Sequence, residues 1–208
     1  TNPAFPIEGK AVTLIFDAAQ GTAGLKGYTG DVYAHTGVIT DQSEKESDWR
    51  YASDWNVNVA KYKMTSLGNN KWELNITPDV RSYYGVPAGE KILKMAFVFR
   101  SSDGKKEGKD TGGKDIFVDI HETGLTVRFD QPSGIATLNS GETLAMKASA
   151  SMVADMKLFV GNEPIATQSN VKEIIAEHTF LQAGNFEIRV EASIGGQTET
   201  ATRTVNVL

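Results

Sequence analysis

Apolar residues recur at every second position through most of this chain, in runs too short for long helices. Val12, Leu14 and Phe16 alternate with Thr13, Ile15 and Asp17. Trp72, Leu74 and Ile76 alternate with Lys71, Glu73 and Asn75, and Phe186, Ile188, Val190 and Ala192 keep the same period further on. A period of two puts one set of side chains on a core and the other in solvent, which is the signature of half-buried strands. Gly, Asn, Asp and Ser clusters separate the runs and supply turns. The pattern predicts an all-β protein. In the first half it predicts strands over 11–17, 31–35, 62–66, 71–76, 92–100 and 115–120, with Leu67-Gly68-Asn69-Asn70 closing a hairpin and a helical turn over 78–84 before Gly85. In the second half it predicts strands over 125–129, 143–149, 156–160, 173–179, 185–192 and 198–207, with turns at Asn139-Ser140-Gly141, Gly161-Asn162 and Gly195-Gly196. That spacing fits an immunoglobulin-like sandwich. The expected architecture is two tandem antiparallel β-sandwiches, 1–121 and 122–208, the second Ig-like.

Composition narrows the function classes. The chain has 208 residues, 40% apolar and 23% charged, with a net charge of −5, so no basic face is implied and nucleic acid is not an expected partner. No Cys is present, which removes disulfides, thiolate metal sites and a cysteine nucleophile. No apolar run approaches the length of a membrane span. The chain starts at Thr1 without a leader pattern and reads as a mature form or a segment of a longer exported protein. No nucleophile elbow or phosphate loop appears, and no pair of carboxylates is marked out for glycoside hydrolysis. Catalysis, cofactor and metal are therefore not expected. The acids Asp103, Glu107, Asp110 and Asp115 could approach calcium, but their spacing is not that of an EF-hand loop.

The aromatic distribution points to a working surface. All three Trp and all six Tyr lie between Tyr28 and Tyr84, and Phe is the only aromatic after that. Trp and Tyr combine an apolar face with a polar handle, which suits a wet binding boundary. Tyr33 and His35 share one face of a strand ending at Gly37, and Trp49 and Trp55 sit in a following loop among polar neighbours. Trp72 alternates with Leu74 and Ile76 and is expected in the core. His121 and His178 have no ligand spacing around them and read as structural.

These residues carry a resemblance. Val32-Tyr33-Ala34-His35-Thr36-Gly37, a loop Trp, Gly68-Asn69-Asn70-Lys71-Trp72 and then Phe97-Val98-Phe99-Arg100-Ser101-Ser102-Asp103-Gly104 follow the order of starch-binding β-sandwich carbohydrate-binding modules. Lys109-Asp110-Thr111-Gly112-Gly113 is similar to the end of that pattern, although Gly108-Lys109 stands where the family has a Trp. Over nearly its full length the chain also resembles the N-terminal region of exported α-amylase-like glycoside hydrolases of glycan-degrading Gram-negative bacteria. Segments 27–40 and 108–118 carry this most clearly, and Gly184–Val190 is similar to the penultimate strand of bacterial Ig-like modules, with Phe186 where Tyr is common. The resemblance implies a noncatalytic module that holds starch-type α-glucan beside an amylase-like catalytic domain of the same parent chain, exported to the cell surface, the periplasm or the medium. A glucose ring offers an apolar face for aromatics and a rim of hydroxyls for polar groups. Tyr33, His35, Trp49, Trp55 and Asp110 would supply both. The rival expectation is a structural or interaction module whose aromatics form an interface.

Overall fold

The period-two runs of the first half form two antiparallel sheets. The computed structural model describes residues 1–208, and the chain divides into two compact units, Thr1–Glu122 and Thr123–Leu208. In the first unit the strands are β1 (Val12–Asp17), β2 (Val32–Thr40), β3 (Thr65–Gly68), β4 (Lys71–Ile76), β5 (Ile92–Ser101), β6 (Glu107–Gly108) and β7 (Ile116–Asp119), with one short helix, α1 (Val80–Tyr84). One sheet has the order β1-β4-β3. The other has β2 against β5, and β6 and β7 both pair with β5.

The alternating apolar residues of the two sheets face one another. Val12, Leu14 and Phe16, with Trp72, Leu74 and Ile76, pack against Val32, Ala34 and Val38 and against Met95, Phe97 and Phe99, all buried. Phe16 and Phe99 stack across the core at 4.1 Å. Gly108 lies where a Cβ would come 2.4 Å from the Phe16 ring, so β6 approaches the core only because it lacks a side chain there. The buried hydroxyls of Thr36 and Tyr84 are matched. The Thr36 hydroxyl donates to the Ala96 carbonyl at 2.8 Å and shares a 2.7 Å hydrogen bond with the Tyr84 hydroxyl. Asp79 caps α1 by accepting from the Ser82 amide at 2.8 Å, and Gly85 ends it in the left-handed region at φ 76°.

Two local expectations change. The strand does not turn at Gly37 but runs on to Thr40, because β5 pairs with it along the whole length, from Val32 opposite Ser101 to Thr40 opposite Ile92. The segment expected as a strand over 62–66 is instead a 3-10 turn at Ala60–Tyr62 followed by β3 at Thr65–Gly68. Tyr62 and Met64 do point inward, but this stretch meets β2 only through the single Tyr33–Lys63 bridge and the Met64 amide on the Val32 carbonyl.

The second unit contains β8 (Val127–Gln131), β9 (Ala136–Leu138), β10 (Thr143–Val160), β11 (Glu163–Thr179), β12 (Gly184–Ile194) and β13 (Gln197–Val207). The order is β11-β10-β12-β13-β9, with β8 also on β10. The two strands expected over 143–149 and 156–160 are one continuous strand. Register breaks between Ser149 and Ala154 and between Ala154 and Met156 bend it, so its first part pairs with β8 and its last part with β12. Met146, Ala148, Met156, Leu158, Ile188, Val190 and Val205 close the core at 0% exposure. Both units are all-β sandwiches.

Candidate functional site

Tyr33 and His35 project from the outer face of the β2–β5 sheet, because their neighbours Val32, Ala34 and Thr36 take the inner one. Pairing sets Arg100 opposite Tyr33 and Val98 opposite His35. Outer faces of such sheets are usually wet, yet Arg100 is 2% and Val98 3% exposed. They are covered by the chain that follows β2, which folds back over the sheet and carries both loop tryptophans.

Two features seat that loop. Backbone hydrogen bonds of 3.0 and 2.8 Å join Val38 and Arg50 in both directions, and Gly37 makes the approach possible: a Cβ there would lie 2.8 Å from the Arg50 carbonyl oxygen. The second is Glu90, itself buried. Its carboxylate accepts from the Thr40 hydroxyl and the Tyr51 hydroxyl, each at 2.5 Å, and pairs with Arg50 at 2.7 Å. Hydrogen bonds from Thr40 and Tyr51 hold the Glu90 carboxyl below its ordinary value, with the Arg50 charge adding to them.

Trp49, next to Arg50, is thereby laid on His35. The rings are 5.4 Å apart and 26° from parallel, and Trp55 meets the imidazole edge-to-face at 5.0 Å. Trp49 donates its indole N–H to the Glu46 carbonyl at 3.1 Å and turns its edge to Phe117 at 6.4 Å. The Arg100 guanidinium lies over Tyr33 at 5.6 Å and over Trp55 at 5.7 Å. It also donates to the Val57 and Ser101 carbonyls at 2.8 and 3.1 Å, so carbonyls and ring faces meet its charge in place of a carboxylate. Burial lowers the His35 pKa, the Arg100 charge lowers it further, and Asp115 opposes them. His35 is therefore neutral at pH 7, with its Nδ1 enclosed and unpartnered.

Four of the five candidate residues thus converge. Tyr33, His35, Trp49 and Trp55 form one half-buried cluster outside the sandwich core. Asp110 stands apart from the rings. It is exposed and accepts from the Thr111 amide at 2.7 Å, which caps the turn after β6. With Glu46, Ser47, Lys114, Asp115 and Phe117 it walls a hollow of about 490 Å³ that none of the four cluster residues lines; the link to the cluster is the Phe117–Trp49 ring contact. Phe117 and Arg100 were missed at the level of sequence. Phe117 follows Asp115 at period two on a foreseen strand, and that was the available signal. Arg100 becomes visible only with the β2–β5 register. Trp72 is in the core at 6% exposure. The acids Asp103, Glu107, Asp110 and Asp115 do not gather, and no group of three or more His, Asp or Glu side chains converges anywhere as a metal cluster.

The fold and this surface define a tandem β-sandwich protein with an aromatic patch on its first unit. The chain belongs to the family described as a domain of unknown function, DUF8578, which matches residues 2–107. No curated protein matches the sequence. Among solved structures, the chain is similar to the fibronectin(III)-like modules of Clostridium thermocellum CbhA, at 16% identity and a TM-score of 0.35, over 39% of this chain and 94% of that one. The endo-beta-1,4-mannanase from Thermotoga petrophila aligns at 16% identity and a TM-score of 0.33, over 43% of this chain and 20% of the mannanase. A chimeric titin Z1Z2 tandem aligns at 11% identity and a TM-score of 0.31, over 99% and 94%.

Proposed function

We propose that the first unit is a noncatalytic binding module for starch-type α-glucan and the second an Ig-like spacer. Together they hold substrate near an amylase-like catalytic domain of the same exported parent chain. The observation that supports this best is Trp49, held flat on His35 by the seated loop and bordered by Phe117 beside a hollow rich in carboxylates, hydroxyl and ammonium. Such a surface offers ring faces to the CH side of a sugar and hydrogen-bonding groups to its hydroxyls. Tyr33 and Trp55 have a different part in this reading. Their faces are engaged by Arg100, as that of Phe117 is by Lys94, so these three brace the patch while Trp49 contacts sugar. Tethering would raise the effective glucan concentration at the catalytic domain to about the millimolar range without new chemistry.

Electrophoresis through gels containing amylopectin tests the reading. The wild-type chain is expected to be retarded relative to a gel without glucan. Trp49→Ala removes a central aromatic anchor, a loss of about 2 kcal/mol or ~30-fold in affinity, and should run nearly freely. Equal mobility of the wild-type protein in both gels would sink the proposal. One observation favours a second reading, a structural or interaction module: the burial of Arg100 between Tyr33 and Trp55 gives half the cluster a stabilising role. Under that reading Trp49→Ala changes stability and leaves mobility in amylopectin untouched.

A further inference from the structure

Another hollow, of about 350 Å³, opens on the first unit where the β3–β4 hairpin meets the loop before β2. Its walls include Tyr28, Thr29, Ser66, Asn69, Asn70 and Trp72, and no carboxylate, ammonium or guanidinium lines it. We propose that this hollow is a second saccharide site, for a neutral sugar, built on residues separate from the Trp49 surface.

Three observations carry this. The first concerns Trp72, which is only 6% exposed, yet its indole N–H has no acceptor within the chain and is not sealed from solvent. That N–H is left to water, and because Trp72 lines the hollow, a ligand hydroxyl seated there can take the water's place. The contrast is Trp49, whose N–H is already spent on the Glu46 carbonyl. The second is the mixture of groups. Two aromatic side chains sit among two amides and two hydroxyls, which can donate and accept toward a polyol, while a charged ligand would find no counterion. The size falls within the range of small-molecule clefts, about 300–1,000 Å³.

The third observation is that the walls are held in place before any ligand arrives. Asn70 accepts from the Gly27 amide at 2.7 Å through its side chain, and its carbonyl accepts from the Ala18 amide at 2.8 Å, so the hairpin and the Tyr28 loop are tied together. Asn69 and Asn70, at φ 50° and 64°, make the left-handed pair that a tight hairpin turn requires. This leaves the Asn69 amide side chain free at the rim. Gly30 gives Tyr28 its place, since a Cβ there would lie 2.5 Å from the tyrosine hydroxyl. A site fixed in this way loses little freedom on binding.

Amide and indole NMR spectra of the full chain test the proposal, with the three indole N–H signals assigned by single Trp→Phe variants. The probes are maltoheptaose, cellohexaose and mannohexaose at millimolar concentrations. At least one should shift the Trp72 indole signal saturably, together with the Thr29 and Asn69 amides. Asn69→Gly keeps the left-handed backbone and the fold but removes the rim amide, and should weaken that response several-fold. Trp49→Ala should leave it unchanged. If no probe moves the Trp72 signal, or if Asn69→Gly binds as the wild type does, the second site is overturned. Movement of Trp49 without Trp72 refutes this site and leaves the glucan reading standing, and the reverse separates them the other way.

Discussion

Replacing Gly37 by alanine should unseat the loop that carries Trp49. The Gly37 backbone is not in the left-handed region, so the perturbation is purely one of space. The new Cβ would lie 2.8 Å from the Arg50 carbonyl oxygen and 2.9 Å from the Ala52 Cβ, both too close for ordinary contact. Arg50 can retreat only by stretching its two backbone hydrogen bonds with Val38, now 3.0 and 2.8 Å. Each is worth about 1 kcal/mol net, and overpacking of this kind costs about 1–3 kcal/mol, so a loss near 2 kcal/mol is expected. For a unit of this size that lowers Tm by roughly 8 °C. Trp49 precedes Arg50 and should leave His35 with it, so retention in amylopectin gels should fall together with stability. Circular dichroism melts and gel mobility read the two effects. Gly9→Ala serves as control, since nothing lies within 4 Å of a Cβ there. Ala52→Gly in the Gly37→Ala background should restore part of the loss, because it removes one of the two collisions. A Gly37→Ala protein that melts with the wild type and binds equally would refute the account of how the loop is seated.

Other outcomes follow from the same geometry. Arg100→Met removes a positive charge that lowers the His35 pKa, so His35 should titrate at higher pH in an NMR titration, although burial will still hold it below 6.5. A midpoint that stays put or falls contradicts the assigned cause. Because the folded His35 binds its proton less readily than the unfolded one, the unfolded state holds more protons as pH falls through 6.5, and stability must fall with pH from there until the folded imidazole also takes up its proton. Denaturant melts should show that slope in the wild type and a flatter one in His35→Gln. In the second unit, Leu158→Ala at a fully buried position of β10 should cost about 2–5 kcal/mol, visible as a lower midpoint in thermal melts.

Much of the first unit was legible in local pattern. The alternation at Val12–Asp17 and Lys71–Ile76 was enough to place both strands, and it assigned Trp72 inward beside Leu74 and Ile76. It also put Tyr33 and His35 on one face, since a pleated strand leaves no other choice. The polar neighbours of Trp49 and Trp55 marked them as lying outside the core, and they do lie outside it. The break of alternation near Ser149–Ala154 was read as the end of one strand and the start of another. It is a bend in a single strand: from Ser149 to Ala154 it advances five residues while β11 advances two, from Glu173 to Val171, which shifts the facing pattern without ending the pairing.

What the chain determined locally was therefore the all-β class, the strands with clean alternation and the stretch in which every Trp and Tyr is concentrated. Only the tertiary structure decided what those aromatics do to one another. Arg100 faces Tyr33 through a register between strands far apart in sequence, Phe117 reaches Trp49 from a third strand, and Glu90 fastens the loop over all of them. Gly37 shows the reason most plainly. Its neighbours in sequence suggest a turn, but the atoms that require a glycine there belong to Arg50 and Ala52, which folding alone brings within reach.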